Sequence, residues 1–244
     1  MPGIIEMKNV SFSAQTRKLV TDISCLFEEA KTTALVGPSG GGKSTVLKLA
    51  AGLIIPEAGQ VFFRNKDIAR MNRTENLTFR REGAVVFQDS ALWANQTLYQ
   101  ILELPLRVHF PFMARKEREK RIESVVASVG YRKELGVRPA QLSMGEQKLI
   151  AFSRAMICRP RLLYLDEWTE SLDDKSSYRL ISLVKELQDD GVTIIIISHD
   201  IRTIRDLSDV VLLVQEGQIF LRLTREEIGD DEELRQYIER GIDS

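Results

Sequence analysis

The 244-residue sequence has only two cysteines, Cys25 and Cys158, at no metal-binding spacing. Both stand in apolar stretches, so buried thiols in a reducing compartment are expected, not a disulfide framework. Charge of one sign is also missing. Thirty-four Lys+Arg against 35 Asp+Glu give a formal net charge of −1, which argues against a chain-wide nucleic-acid footprint and against a nucleic-acid partner. No apolar run approaches the roughly 20 residues that span a bilayer. The opening stretch, MPGIIEMKNV, lacks the basic and long apolar regions of a secretory signal. Internal repeats, low-complexity tracts and Ser/Gly linkers are absent as well. These absences lead to the expectation of a cytoplasmic chain, soluble by itself, for which any membrane role comes through a partner. What is present, 43% hydrophobic and 28% charged residues, is the composition of a folded globular protein.

The densest feature is GPSGGGKST, residues 37–45. Gly37, Gly42, Lys43 and Ser44 match the spacing G-x-x-x-x-G-K-[ST]. The preceding TTALV is short, apolar and β-branched, and reads as a buried strand. The following segment carries Val46, Leu47, Ala50, Ala51 and Ile54 at helical spacing. Strand, glycine loop and helix form the context a phosphate-binding loop requires. Glycines let successive backbone N–H groups turn toward phosphate oxygens, and the helix start adds its unpaired N–H groups and dipole. Gly37, Pro38, Ser39, Gly40, Gly41, Gly42, Lys43, Ser44 and Thr45 are therefore the candidate nucleotide cradle. Lys43 would reach the β- and γ-phosphates of ATP, and the Ser44 hydroxyl would bind Mg²⁺.

Downstream, Leu162 to Leu165 forms an apolar strand ending in Asp166-Glu167. A carboxylate there falls at the sheet edge beside the phosphate loop. Asp166 is the candidate Mg²⁺ residue, and Glu167 the candidate base that polarises the attacking water. Strand patterns recur over 4–13, 18–27, 60–64, 83–88, 192–197, 209–214 and 219–223, and helical patterns over 114–129 and 176–187. The charges of the 114–129 segment are mixed in sign, as on a solvated helix face.

Residues 142–147, Leu-Ser-Met-Gly-Glu-Gln, resemble the signature motif of the ATP-binding-cassette (ABC) ATPases. Gln88 resembles that family's Q-loop glutamine. Glu170-Ser171-Leu172-Asp173 resembles its D-loop, and His199 its switch histidine. The resemblance spans nearly the whole chain. It implies an α/β P-loop NTPase of ABC type, with a RecA-like core, an antiparallel β subdomain and an inserted helical subdomain. The boundaries it suggests are a core of 1–88 and 161–225, a helical block of 89–160 and a tail of 226–244. It further implies ATP and Mg²⁺ as cofactors, with Ser44, Gln88 and Asp166 toward the metal. Glu167, His199, Lys43 and Gln88 become the catalytic set. Ser143, Gly145 and Asp173 become nucleotide contacts made across a head-to-tail homodimer, since the signature and the P-loop are expected on opposite lobes.

Several positions depart from the family. Met144 and Glu146 replace the first inner glycine and the glutamine of LSGGQ, adding bulk and negative charge. Trp168 replaces the usual proline. Ala14 stands where many relatives carry an adenine-stacking aromatic, which leaves Arg17 as a candidate to stack on the base.

The DSALW stretch (89–93) and Pro105-Leu106-Arg107 resemble the lipid-transport ATPases that serve mammalian-cell-entry (MCE) proteins. The resemblance implies a peripheral subunit on the inner face of the cell membrane, bound to a permease and to an MCE-type partner. An importer ATPase for amino acids or another small solute shares every catalytic motif, and a soluble ABC protein of DNA repair or translation is a third reading. Leu92 or Trp93 is expected to line the permease groove. Leu234, Tyr237, Ile238 and Ile242 would form one apolar stripe on a C-terminal helix.

Overall fold

Alternation along the strands sorts the apolar residues into two cores, one on each face of a central sheet. The computed structural model describes residues 3–227, so the expected tail helix lies outside the described residues. β1 (Gly3–Ala14) and β2 (Arg17–Glu28) form the anticipated antiparallel hairpin, with Arg17 already in β2, paired to Ala14. β3 (Thr32–Val36) is buried throughout and feeds the phosphate loop and α1 (Lys43–Ala50). β4 (Ala58–Phe63) and β5 (Lys66–Asp67) extend the hairpin sheet to the order β2-β1-β4-β5. α2 (Arg73–Glu82) and β6 (Gly83–Val86) come next, and then α3 (Leu98–His109), α4 (Arg115–Ser128) and α5 (Met144–Met156). β7 (Leu162–Asp166), α6 (Asp174–Asp189), β8 (Thr193–Ile197), α7 (Ile201–Leu207), β9 (Val210–Gln215) and β10 (Gln218–Thr224) finish the chain as described.

The second sheet has the order β10-β9-β3-β8-β7-β6. All its pairings are parallel except β9 with β10. In parallel strands the C-terminal ends share one edge, and that edge collects ligands. Here it gathers the phosphate loop after β3, Gln88 after β6, Asp166 ending β7 and His199 after β8.

Side-chain alternation explains why the sheet is apolar on both faces. On β7, Leu162 and Tyr164 pack with α1 and the hairpin sheet, while Leu163 and Leu165 pack with the helices on the other side. α1 has only eight residues, too few to persist alone in water. Val46, Leu47, Leu49 and Ala50 are fully buried, and each large apolar side chain contributes about 1.5–3 kcal/mol. Packing therefore holds the phosphate-binding end of this helix. The buried Tyr164 hydroxyl adds a 2.9 Å hydrogen bond to Ala50 O, tying the end of α1 to β7.

The helices α3 to α5 lie between β6 and β7 in the chain and share one core with the sheet. Most apolar residues of α3 serve that core: Leu98, Ile101, Leu102 and Leu106 are fully buried. Trp168 also belongs to it, at 0% exposure and stacked 5.8 Å from Phe152. Its indole N–H has no partner, a cost of about 1–3 kcal/mol set against the area the ring buries. The charged start of α4 is solvated and paired, as the mixed signs predict: Arg115 meets Glu119 at 2.8 Å and Arg118 meets Glu103 at 2.9 Å. Cys25 and Cys158 are unpaired, and burial pushes their thiols up to about 12 and about 11.

Candidate nucleotide site

The phosphate loop is wedged between the hairpin and the β9–β10 turn. Gly41 O accepts from Gly217 N–H at 2.9 Å. Two glycines are required by space as well as by backbone angle. Gly37 has φ 130° and a Cβ there would stand 2.2 Å from Val214 O; Gly42 has φ 105° and a Cβ would stand 2.6 Å from Leu19 O. Gly42 is the N-cap of α1 and places no side chain over the helix start, so no capping side chain occupies the first N–H groups. Lys43 is 7% exposed, and its ammonium donates to Gly37 O and Pro38 O, each at 2.8 Å. Burial depresses its pKa, while Glu167 and Asp166 nearby oppose that shift.

Ser44 and Asp166 come together, the hydroxyl donating to Oδ1 at 3.2 Å. Glu167 follows in the left-handed region at φ 45°, its N–H donating to Ile197 O. His199 Nε2 stands 3.1 Å from Glu167 Oε1, an approach without hydrogen-bond alignment, since that oxygen has no donor. Burial pushes the Glu167 carboxyl up to about 7, helped by Asp166 and Glu170 and resisted by Lys43 and Lys148. Burial raises Asp166 too. Burial lowers His199, and Lys43 adds to that. Carboxylates held up in this way favour a divalent cation beside them. Among the described residues no three His, Cys, Asp or Glu side chains form a self-sufficient metal cage. Mg²⁺ keeps waters and takes phosphate oxygens beside one or two carboxylates, a donor set that Ser44 and Asp166, 3.2 Å apart, fit.

Ser44, Lys48, Gln88, Asp166 and Glu170 line one cavity of about 690 Å³. Gln88 is brought to it, but its amide donates to Glu170 at 3.0 Å rather than to the Ser44–Asp166 pair. Ser143, Gly145 and Asp173 line a different groove of about 500 Å³ with Ser171 and Ser176. Met144, Gln147 and Lys148, on the start of α5, also line the cavity of Ser44 and Asp166. Successive residues of a helix point about 100° apart, so one helix start reaches both places.

The negative charge that Glu146 adds is partnered. Its Oε1 pairs with Lys133 at 2.6 Å, and its Oε2 accepts from Ser143 N–H at 3.1 Å in a capping box. Asp173 caps α6: its carboxylate accepts from Ser176 N–H and Ser176 Oγ, each at 2.9 Å. Arg17 lies over the phosphate loop, with Nη2 3.7 Å from where a Cβ on Gly40 would be. Sequence reasoning assigned no role to Lys148 or Lys133, and gave Glu170 only its place in the D-loop resemblance. Only Lys148 carried a signal, a lysine directly ahead of the apolar run Leu149 to Phe152.

Parallel strands that deliver a phosphate loop, a Ser–Asp pair and a buried glutamate to one edge define a nucleotide-hydrolysing cassette. The chain belongs to the ABC transporter family, whose model matches residues 20–170. The intermembrane phospholipid transport ATP-binding protein MlaF of Haemophilus influenzae is 29% identical, over 96% of this chain and 88% of that protein. The nickel import ATP-binding protein NikE of Brucella suis is 36% identical, over 84% and 79%. A dimeric ATP-binding cassette in a post-hydrolysis state, bound to ADP and Pi, superposes with a TM-score of 0.84 at 27% identity, over 91% of this chain and 98% of that one. The chain is an ABC transporter ATP-binding subunit, and an ATP hydrolase. No helix of the described residues is long and apolar enough to cross a membrane.

Proposed function

We propose that this subunit powers a membrane transporter by closing head-to-tail on a second copy of itself around ATP. The observation that supports this reading is that Ser143 and Gly145 line a groove of their own and not the cavity of the Ser44–Asp166 pair, although Met144 and Ser171 border both. A nucleotide held by one subunit's Lys43 and glycine loop is then completed by Ser143, Gly145 and Asp173 of the other. Ser44, Asp166 and Gln88 would hold Mg²⁺, which would neutralise charge on the β- and γ-phosphates. Glu167 accepts the proton of the attacking water, and His199 steadies the γ-phosphate from the end of β8. Arg17 supplies a planar cation for the adenine in place of the aromatic absent at Ala14.

A permease is the membrane partner, and the subunit is peripheral through it. Its docking groove includes Trp93, 45% exposed beside the loop that holds Gln88. Leu92 packs against the main core, so the groove falls to Trp93 of the two. The cargo we favour is phospholipid, carried with an MCE-type partner. The similarity to MlaF over 96% of the chain supports it. Import of a small solute is the second reading, supported by the higher identity to NikE over a shorter span. Purifying the intact membrane complex in detergent and extracting bound lipid tests the choice. Stoichiometric phospholipid and lipid-stimulated hydrolysis support the first reading; hydrolysis stimulated only by a solute-loaded binding protein contradicts it.

A further inference from the structure

Lys148 is 3% exposed, and the hydrolytic chemistry above gives it no task. It lies on the second turn of α5, and its ammonium donates to Phe87 O, Gln88 O and Glu167 O, the last at 3.2 Å. An ammonium has three donors and no acceptor, so these carbonyls use all of them. One belongs to Gln88 itself and another to Glu167, a non-glycine residue at φ 45°. Further along α5 the arrangement recurs. The Arg154 guanidinium donates to Ser90 O at 3.1 Å and Ala91 O at 2.6 Å, and lies 5.6 Å over the Trp93 ring. Ser90 and Ala91 are also left-handed, at φ 62° and 45°. α5 thus grips the 87–93 loop at two points and the Glu167 peptide at one.

We propose that Lys148 is a positioning residue for ATP hydrolysis, locking the signature helix to the backbone of Gln88 and Glu167 so that all three move as one body. The inference rests on the roles proposed above for those two residues. α5 begins at Ser143, the cradle for the other subunit's phosphate, and Lys148 follows about 7–8 Å along the axis. A shift of the helix start on closure passes through one ammonium to the base's own peptide. Near-attack geometry is sensitive at this scale, since a misplacement of about 1 Å costs up to about 100-fold in rate.

The test uses steady-state ATPase assays on the assembled transporter carrying Lys148→Met, which keeps an unbranched stem and removes the donors. The expected result is a kcat about 10–100-fold lower, with the KM for ATP and the affinity for a fluorescent ATP analogue within about twofold. A merely structural lysine would lower melting temperature and nucleotide affinity together, leaving kcat of the folded fraction intact. If Lys148→Met does not fold, Lys148→Gln is judged by the same split. Unchanged kcat, or a loss matched by equal loss of affinity, overturns the inference. Glu167→Gln measured alongside keeps the two readings apart. Hydrolysis lost there but normal in the Lys148 variant sinks this inference alone; hydrolysis normal in Glu167→Gln removes the base assignment beneath it.

Discussion

Two helix starts of this chain, both proposed above as anion cradles, are built in opposite ways. α1 starts at a left-handed glycine with no side-chain cap and a lysine at its first position. α5 starts at Ser143, whose hydroxyl accepts from Glu146 N–H at 3.2 Å while Glu146 caps in return and pairs with Lys133. The first start is open and cationic, which under the proposed function lets phosphate bind it within one chain. The second is closed by its own side chains, and a capping arrangement of this kind is worth about 1 kcal/mol. Under the proposed function a phosphate must displace part of that arrangement, so the second start would act as a latch for a nucleotide already held elsewhere. On that proposal, binding and closure fall to different helix starts.

The largest effect should come from leaving both starts intact and removing the chemistry between them. Glu167→Gln is expected to lower turnover by about 10²–10⁴-fold with ATP affinity retained, so ATP-bound dimers accumulate in size-exclusion chromatography. Wild-type turnover would remove Glu167 as the base. Breaking the open start comes next. Lys43→Ala removes a charge-assisted contact worth about 1.5–3 kcal/mol, so ATP affinity measured by titration calorimetry should fall about 10–100-fold. Retained affinity would mean that the backbone cradle suffices. His199→Ala should lower kcat about tenfold or more in the assembled complex with little change in binding, and an unchanged rate would reduce His199 to a surface side chain. The smallest effect sharpens the contrast. Glu146→Gln removes a negative charge from the closed start, and ATP-driven dimerisation should tighten by about 2–5-fold, the worth of one charge at a helix N-terminus. Weaker dimerisation would make the Glu146 carboxylate part of the latch.

Much of this contrast was legible in sequence, for different reasons in its two halves. The parallel strands declare themselves because both faces are buried, so TTALV, LLYLD and TIIII are buried at every residue and mostly apolar. The open start is legible because glycine and lysine spacing is dictated by backbone geometry over nine consecutive residues. The closed start is not, since Lys133 reaches Glu146 only through the packing of the helical block. α2 carries no apolar stripe to mark it in sequence, because Phe79 is its only buried residue, although Asn72 and Glu75 form a capping box. α3 is obscured by Pro105, which lies inside a helix that the structure continues to His109. The Lys148 tripod joins carbonyls distant in sequence, and carbonyls leave no mark on a sequence pattern.

The central claim, that an open start on one subunit meets a closed start on another, is tested most directly by mixing two inactive variants. Lys43→Ala disables the first start. Gly145→Asp disables the second, where even a Cβ would stand 3.0 Å from Ser171 O. In a head-to-tail dimer of one variant with the other, one of the two sites regains both intact halves. Random mixing should therefore restore hydrolysis well above either parent, to at most about a quarter of wild type. Activity of the mixture no greater than that of the two parents would contradict the account, because each site would then be completed within a single chain.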